Sequence, residues 1–348
     1  MPFDLPSPLK SLIFFAIPMM SRRIWSPSSS FPLKSLIFLV MLGGYSSLGL
    51  AEEKPLLVLK GHEGPVTQVC LTPDGKQIIS GSSDGTIRFW DFAGKELSRF
   101  DTQAKGVTVV IHHPKEKRLF VGNWDGTIQI WDSQKGKRID ILKGHKENIT
   151  SLALSSDGKK LVSGSGDDSL LVWNLDTGKP VLKIEMDNEY DVTSVLFHPD
   201  GKSVFAGDGE GLITQWDIST GESLRTFDGH KRAITDMILS SDGNTLISAS
   251  QEQHLRFWNV KTGKEMFALN DHRDEIINLA LSADGQKFLS VGEDKQIRIW
   301  ESQKGTCLYS LKFPHRVNHA QFSWDGKQIL AAVGNTVGLW NIPKKEPK

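Results

Sequence analysis

The sequence predicts an all-β protein of seven four-stranded antiparallel units, arranged radially and closed into a ring. Two observations carry that expectation. A ten-residue phrase, "SSDGTIRFWD" at 82–91 and "NWDGTIQIWD" at 123–132, returns in looser copies ending near Trp173, Trp216, Trp258, Trp300 and Trp340. From Trp90 onward the seven tryptophans stand 41, 42, 43, 42, 42 and 40 residues apart. A fixed period of this size marks stacked units that share a continuous core. The second observation is at the ends. "KPLLVLKGH" (54–62) aligns with "KRIDILKGH" (137–145), so residues 55–59 form a fourth strand with no first three before it. "VGLWN" (337–341) is a third strand with no fourth after it. Joined, the two fragments complete one unit and leave no open sheet edge.

Each unit reads as a meander. In the first, "VTQVCLTP" alternates in period two, "DG" turns the chain, and "KQIIS" alternates again. "SSDG" turns it back, "TIRFW" is the third strand, "FAGK" the third turn and "ELSRF" the fourth strand. Asp-Gly and other Gly-containing turns between β-branched and aromatic runs are strong hairpin signals. Such a unit cannot bury both faces alone, whereas seven set radially can.

Residues 1–51 differ in composition and are expected to be a signal-peptide region, with 52–348 forming the ring. "LIFLVML" (36–42) is too short to span a bilayer. It follows Arg22, Arg23 and Lys34 and leads to Gly49 and Ala51, small residues spaced as at a signal-peptidase site. The expectation is export, periplasmic or secreted, after cleavage near Ala51, with no stable membrane span. A short membrane anchor is the alternative. "PLKSLIF" occurs at 8–14 and at 32–38, so Met19 or Met20 is a second possible start.

Gly61-His62, Gly144-His145 and Gly229-His230, with Trp90-Asp91, Trp131-Asp132 and Trp216-Asp217, resemble the WD-repeat β-propeller family. The resemblance covers residues 55–341 and implies a seven-bladed β-propeller of four-stranded antiparallel blades. Four histidines precede their tryptophan by 28 residues: His62/Trp90, His145/Trp173, His230/Trp258 and His272/Trp300. A serine stands 18 after each His (Ser80, Ser163, Ser248, Ser290) and an acid 22 after (Asp84, Asp167, Glu252, Asp294). Ser, His and Asp at fixed spacing suggest a hydrolase triad. Four copies argue instead for structure, since a buried indole N–H needs an acceptor that a hydroxyl supplies. The resemblance implies that Trp–Ser–His–Asp ties the loop entering a blade to its inner turn and third strand. Blade two has Val121 for the serine, blade four Ala206 and Glu210, and blade seven Ala331 and Gly334. Those three blades are expected to rest on packing alone and to be locally soft.

The chain has 41 basic and 41 acidic residues, and beyond residue 51 the counts are 37 and 40. No electrostatic footprint for nucleic acid follows, nor a basic stripe for a membrane surface. Cys70 and Cys307 lie in apolar strand-like runs and are expected to be buried and unpaired. His113-Pro114 and His198-Pro199 read as turn residues on the underside. A metal site at His315 and His319 has no identifiable third ligand, so neither metal nor other cofactor is expected.

Function is therefore sought on the surface. The turn between the second and third strands shares a face with the loop entering each blade. The residue before each tetrad acid lies there: Ser83, Trp124, Gly166, Gly209, Gln251 and Glu293. The family's interaction pattern adds the residues three and five after the His position. These are Pro65 and Thr67, Gly106 and Thr108, Asn148 and Thr150, Asp191 and Thr193, Ala233 and Thr235, Glu275 and Ile277. By a shifted alignment, Arg316 and Asn318 follow. Trp124, Asp191, Asn148, Gln251, Glu275, Glu293, Arg316 and Asn318 are the candidate contacts for a protein or peptide partner. Trp124 reads either as an interface anchor or as packing that fills a blade without its His. The expectation is a monomeric, non-catalytic scaffold. The alternative is a propeller enzyme of lactonase or quinoprotein type with its site in the central channel.

Overall fold

The computed structural model describes residues 54–186 and 190–343, which form strands and turns and no helix. Seven four-stranded antiparallel sheets result. Blade one comprises Val66–Leu71, Ile78–Ser82, Thr86–Trp90 and Glu96–Asp101. The closing blade takes its outermost strand, Leu57–Lys60, from the start of the described chain. That strand pairs antiparallel with Thr336–Asn341, Leu57 opposite Leu339 and Leu59 opposite Val337. The ring is closed by backbone hydrogen bonds, as the sequence predicts.

The second and third strands depart from simple alternation. Ile78–Ser82 and Thr86–Trp90 are buried throughout, while Lys137–Leu142, an outer strand, is mostly exposed. The middle of each blade is covered on both faces by its neighbours, so neither face meets solvent, and the polar side chains buried there, such as Ser80 and Thr86, are hydrogen-bonded within the blade. The apolar clusters accordingly lie between blades. One joins Leu59, Val66 and Trp90 to Leu330 and Val337 across the closure. Close approach explains glycines that no turn requires. A Cβ on Gly81 would lie 2.6 Å from Val110, and one on Gly122 2.5 Å from Val109.

Each inner strand carries a bulge near its start. The register slips between Val66 and Gln68, Val107 and Val109, and Ile149 and Ser151, and again in the four remaining blades. The extra residues are Thr67, Thr108, Thr150, Thr193, Thr235, Ile277 and Asn318. A bulge re-aims the side chain it carries, and these seven ring the central channel.

Candidate functional site

The four tetrads assemble. Trp90 donates its indole N–H to Ser80 Oγ at 2.9 Å, and Ser80 Oγ lies 2.8 Å from His62 Nε2. His62 Nδ1 lies 3.0 Å from Asp84, whose carboxylate also accepts the Glu63 backbone N–H. The same chain runs through Trp173, Ser163, His145 and Asp167. It recurs through Trp258, Ser248, His230 and Glu252, and through Trp300, Ser290, His272 and Asp294. A neutral imidazole protonated on Nδ1 satisfies both ends, accepting from the serine and donating to the acid. Burial favours that form: it lowers all four histidines, His230 to about 4. Burial alone would raise Asp84, but hydrogen bonds from Thr86, the Glu63 N–H and His62 outweigh it and hold the carboxyl well below its usual range. The four serines are 0% exposed and their oxygens already accept an indole N–H. A nucleophile needs a path to substrate, and these have none.

In blades two and four the departures differ from packing alone. In blade two, Gln129 accepts the Trp131 indole N–H at 3.0 Å and donates to Thr102 O, so a side-chain amide replaces the serine and histidine. In blade four, Asp208 rather than Glu210 organises the inner turn, accepting the N–H groups of Glu210, Gly211 and Leu212. Trp216 Nε1 there is buried with no partner among the described residues. In blade seven, Trp340 packs edge-on against Phe313, ring centroids 4.9 Å apart.

Other singled-out residues also find places. His113 accepts the N–H groups of Lys115 and Glu116 through Nδ1, and its Nε2 reaches Gly158 O in the next blade. Cys70 and Cys307 are free and half-buried rather than fully buried. Burial pushes the Cys70 thiol up to about 12 and raises that of Cys307.

On the upper face the two sets of rim positions pair through the backbone. Ser83 N–H donates to Pro65 O, Trp124 to Gly106, Gly166 to Asn148, Gly209 to Asp191, Gln251 to Ala233 and Glu293 to Glu275. Each pairing ties the backbone of a rim residue to the loop that enters its blade. Trp124 is 54% exposed, with the edge of its ring against Gly106. Asp191 and Arg316 are exposed; Asn148, Gln251, Glu275 and Glu293 are half-buried. Arg316 pairs with Glu293 at 2.5 Å. Tyr190, 41% exposed against Gly209, is a second rim aromatic that the sequence reading passed over. Its signal was its place beside Asp191.

The residues five after the His position line the upper channel. Thr67 donates to Val107 O, Thr150 to Val192 O, Thr235 to Ile276 O, and the Asn318 amide to Val66 O. Each bond crosses to the next blade. Asn318, read from sequence as a partner contact, is thus spent on stapling blade seven to blade one, because its bulge turns it into the channel. Among the described residues, Asp236 is the one carboxylate lining the upper channel. Burial raises it to about 6 against hydrogen bonds from the Leu279 and Met237 N–H groups.

Comparison with known proteins matches this geometry. The family described as "WD domain, G-beta repeat" matches residues 53–91, 178–217, 221–259 and 263–301, and "IFT140 first beta-propeller" matches 76–183. The chain belongs to the WD-repeat β-propeller family. Among its relatives, the Protein LST8 homolog of Dictyostelium discoideum is 38% identical over 38% of this chain and 46% of its own length. Target of rapamycin complex subunit wat1 of Schizosaccharomyces pombe is 23% identical over 41% and 48% respectively. Mouse transducin beta-like protein 2 is 26% identical over 38% and 31%. The match spans about half or less of each relative's length.

These relatives correct the expectation of export. They are intracellular WD proteins, which points away from a periplasmic or secreted chain. A short apolar run between basic and small residues meets the leader pattern by composition alone. The segment it was read from, 1–51, lies outside the described residues. Among the described residues no helix is long and apolar enough to cross a membrane.

Proposed function

We propose that this WD-repeat propeller is a non-catalytic binding module whose upper rim holds a protein or peptide partner. The observation that carries the reading is Trp124: a large aromatic, 54% exposed, on a backbone anchored to Gly106. Aromatics on rigid supports are the residues that dominate interfaces. Tyr190 and Asp191 in blade four, Asn148 in blade three, and Gln251, Glu275, Glu293 and Arg316 in blades five to seven supply a polar surround. The reading is also supported by the burial of the tetrad serines, and by a relative named as a complex subunit.

The test is Trp124→Ala against the unaltered chain, each used as bait in a native lysate and each melted. The proposal expects the specifically captured protein to be lost or weakened by about 2 kcal/mol or more, with stability within about 0.5 kcal/mol of the parent. Undiminished capture together with a loss of about 3–5 kcal/mol, the range for a buried aromatic, would make Trp124 a packing residue and end the reading.

A further inference from the structure

The central channel has two unlike halves. Its upper part is a cavity of about 360 Å³ with a mainly polar wall that includes Thr108, Ser194, Asp236 and Asn278. Its lower part is a cavity of about 390 Å³ walled by Leu71, Ile111, Leu281, Phe322 and Trp324. His319 lines both and so sits at the waist. Trp324 is 56% exposed, and its indole N–H is held by Thr72 O across the ring closure. The ring is therefore a fixed wall at the lower mouth.

Most polar side chains of the inner strands are already used. Gln68 accepts the Val110 N–H, Ser151 the Val195 N–H, Asp236 the Leu279 N–H and Asn278 the Ala320 N–H. These four occupy one equivalent position, just after the bulge, and each ties down the next blade. His319 holds the same position in blade seven and makes no such bond. His319 Nδ1 and Thr108 Oγ1 are buried polar atoms without a partner among the described residues, and both residues line the same cavity. An unpaired buried polar atom costs about 1–3 kcal/mol, which a ligand group could recover.

We propose that the channel binds a small amphipathic molecule, its apolar body against Leu71, Phe322 and Trp324 and a hydroxyl or amine head on His319 and Thr108. An apolar wall with a few placed polar groups is the usual make-up of a small-molecule site. The head is a hydrogen-bond donor for an electrostatic reason. Burial keeps His319 neutral, pushed down to about 4, so among the described residues the one group of the upper wall that carries charge near neutral pH is the Asp236 carboxyl, which burial raises to about 6. A carboxylate head would meet a like charge and no cation. This site is independent of the upper rim and of any partner held there.

The probes are hexan-1-ol, hexylamine and hexanoate, titrated calorimetrically into the full chain near neutral pH. The expected result is saturable binding of the alcohol and the amine at one site per chain, and weaker binding of hexanoate. His319→Leu should weaken the alcohol and amine by about tenfold, the size of one lost hydrogen bond. Thr108→Val is the second variant, with the same expectation should the first not fold. Trp324→Ala, on the apolar wall, should weaken both probes alike. No binding of alcohol or amine up to their solubility would overturn the proposal. So would hexanoate binding as well as they do, or affinities unchanged in the His319 and Thr108 variants.

Discussion

Trp131 donates its indole N–H to Gln129, two residues back on the same strand, at 3.0 Å. Side chains two apart on a strand share a face, so the amide reaches the indole that the missing serine would have held. Blade four has a glutamine one residue closer, and the outcome reverses. Gln215 precedes Trp216 directly, faces the other way, and bonds Ser203 and Arg225 instead. Trp216 Nε1 is left without a partner among the described residues. Gln129→Leu should therefore destabilise by about 1–3 kcal/mol, the range for stranding a buried donor. Trp216→Phe should cost less than Trp131→Phe, since it removes a donor that is already unpaired. Urea unfolding of the three variants checks both, and equal losses for the two Phe variants would remove the distinction.

Asp167→Ala should cost about 1–3 kcal/mol, because its carboxylate holds His145, the Lys146 N–H and Ser169 together. Glu210→Ala should stay within about 0.5 kcal/mol, as for an ordinary surface change. Glu210 is exposed, and Asp208 caps that turn in its place. The comparison is made by chemical denaturation at pH 7. A similar loss at both sites would show that the acids do not act through the tetrad.

The tetrads also set a pH dependence. Burial lowers their four histidines from the usual 6.5, His230 to about 4. Between those limits the unfolded chain binds more protons than the folded one, so stability falls as pH falls from 6.5 toward 4. The lowered acids Asp84, Asp167 and Asp294 contribute a further loss in the same direction below 3.8. Denaturation midpoints should drop between pH 7 and pH 5, and His230→Gln should make that drop shallower. An unchanged slope in the variant would place the titration elsewhere.

Removing residues 54–60 strips the outer strand from the closing blade and bares Thr336–Asn341 as a free edge. It also removes Leu59, which is 2% exposed in the cluster joining blades seven and one. The truncated chain should melt well below the parent and self-associate, since a free edge invites pairing with another chain. Calorimetry and light scattering test this; an unaltered melt of a monomer would mean that closure adds nothing.

The blades, their order and the strand that closes them were legible because they rest on local chemistry. Asp-Gly turns, two-residue alternation and a tryptophan every 40 to 43 residues specify each meander without reference to its neighbours. The tetrad spacings were legible for the same reason, since each tetrad closes within one repeat. What crosses between blades was not. Thr67, Thr150, Thr235 and Asn318 looked like rim residues until the bulge in each inner strand turned them onto a neighbouring carbonyl about 40 residues away, or 252 across the closure. The exposure of Trp124 and the unpaired nitrogen of His319 belong to the same class. Periodicity gives a side chain's place in its own strand, whereas its partner depends on how one twisted sheet is set against the next, and only the closed ring decides that.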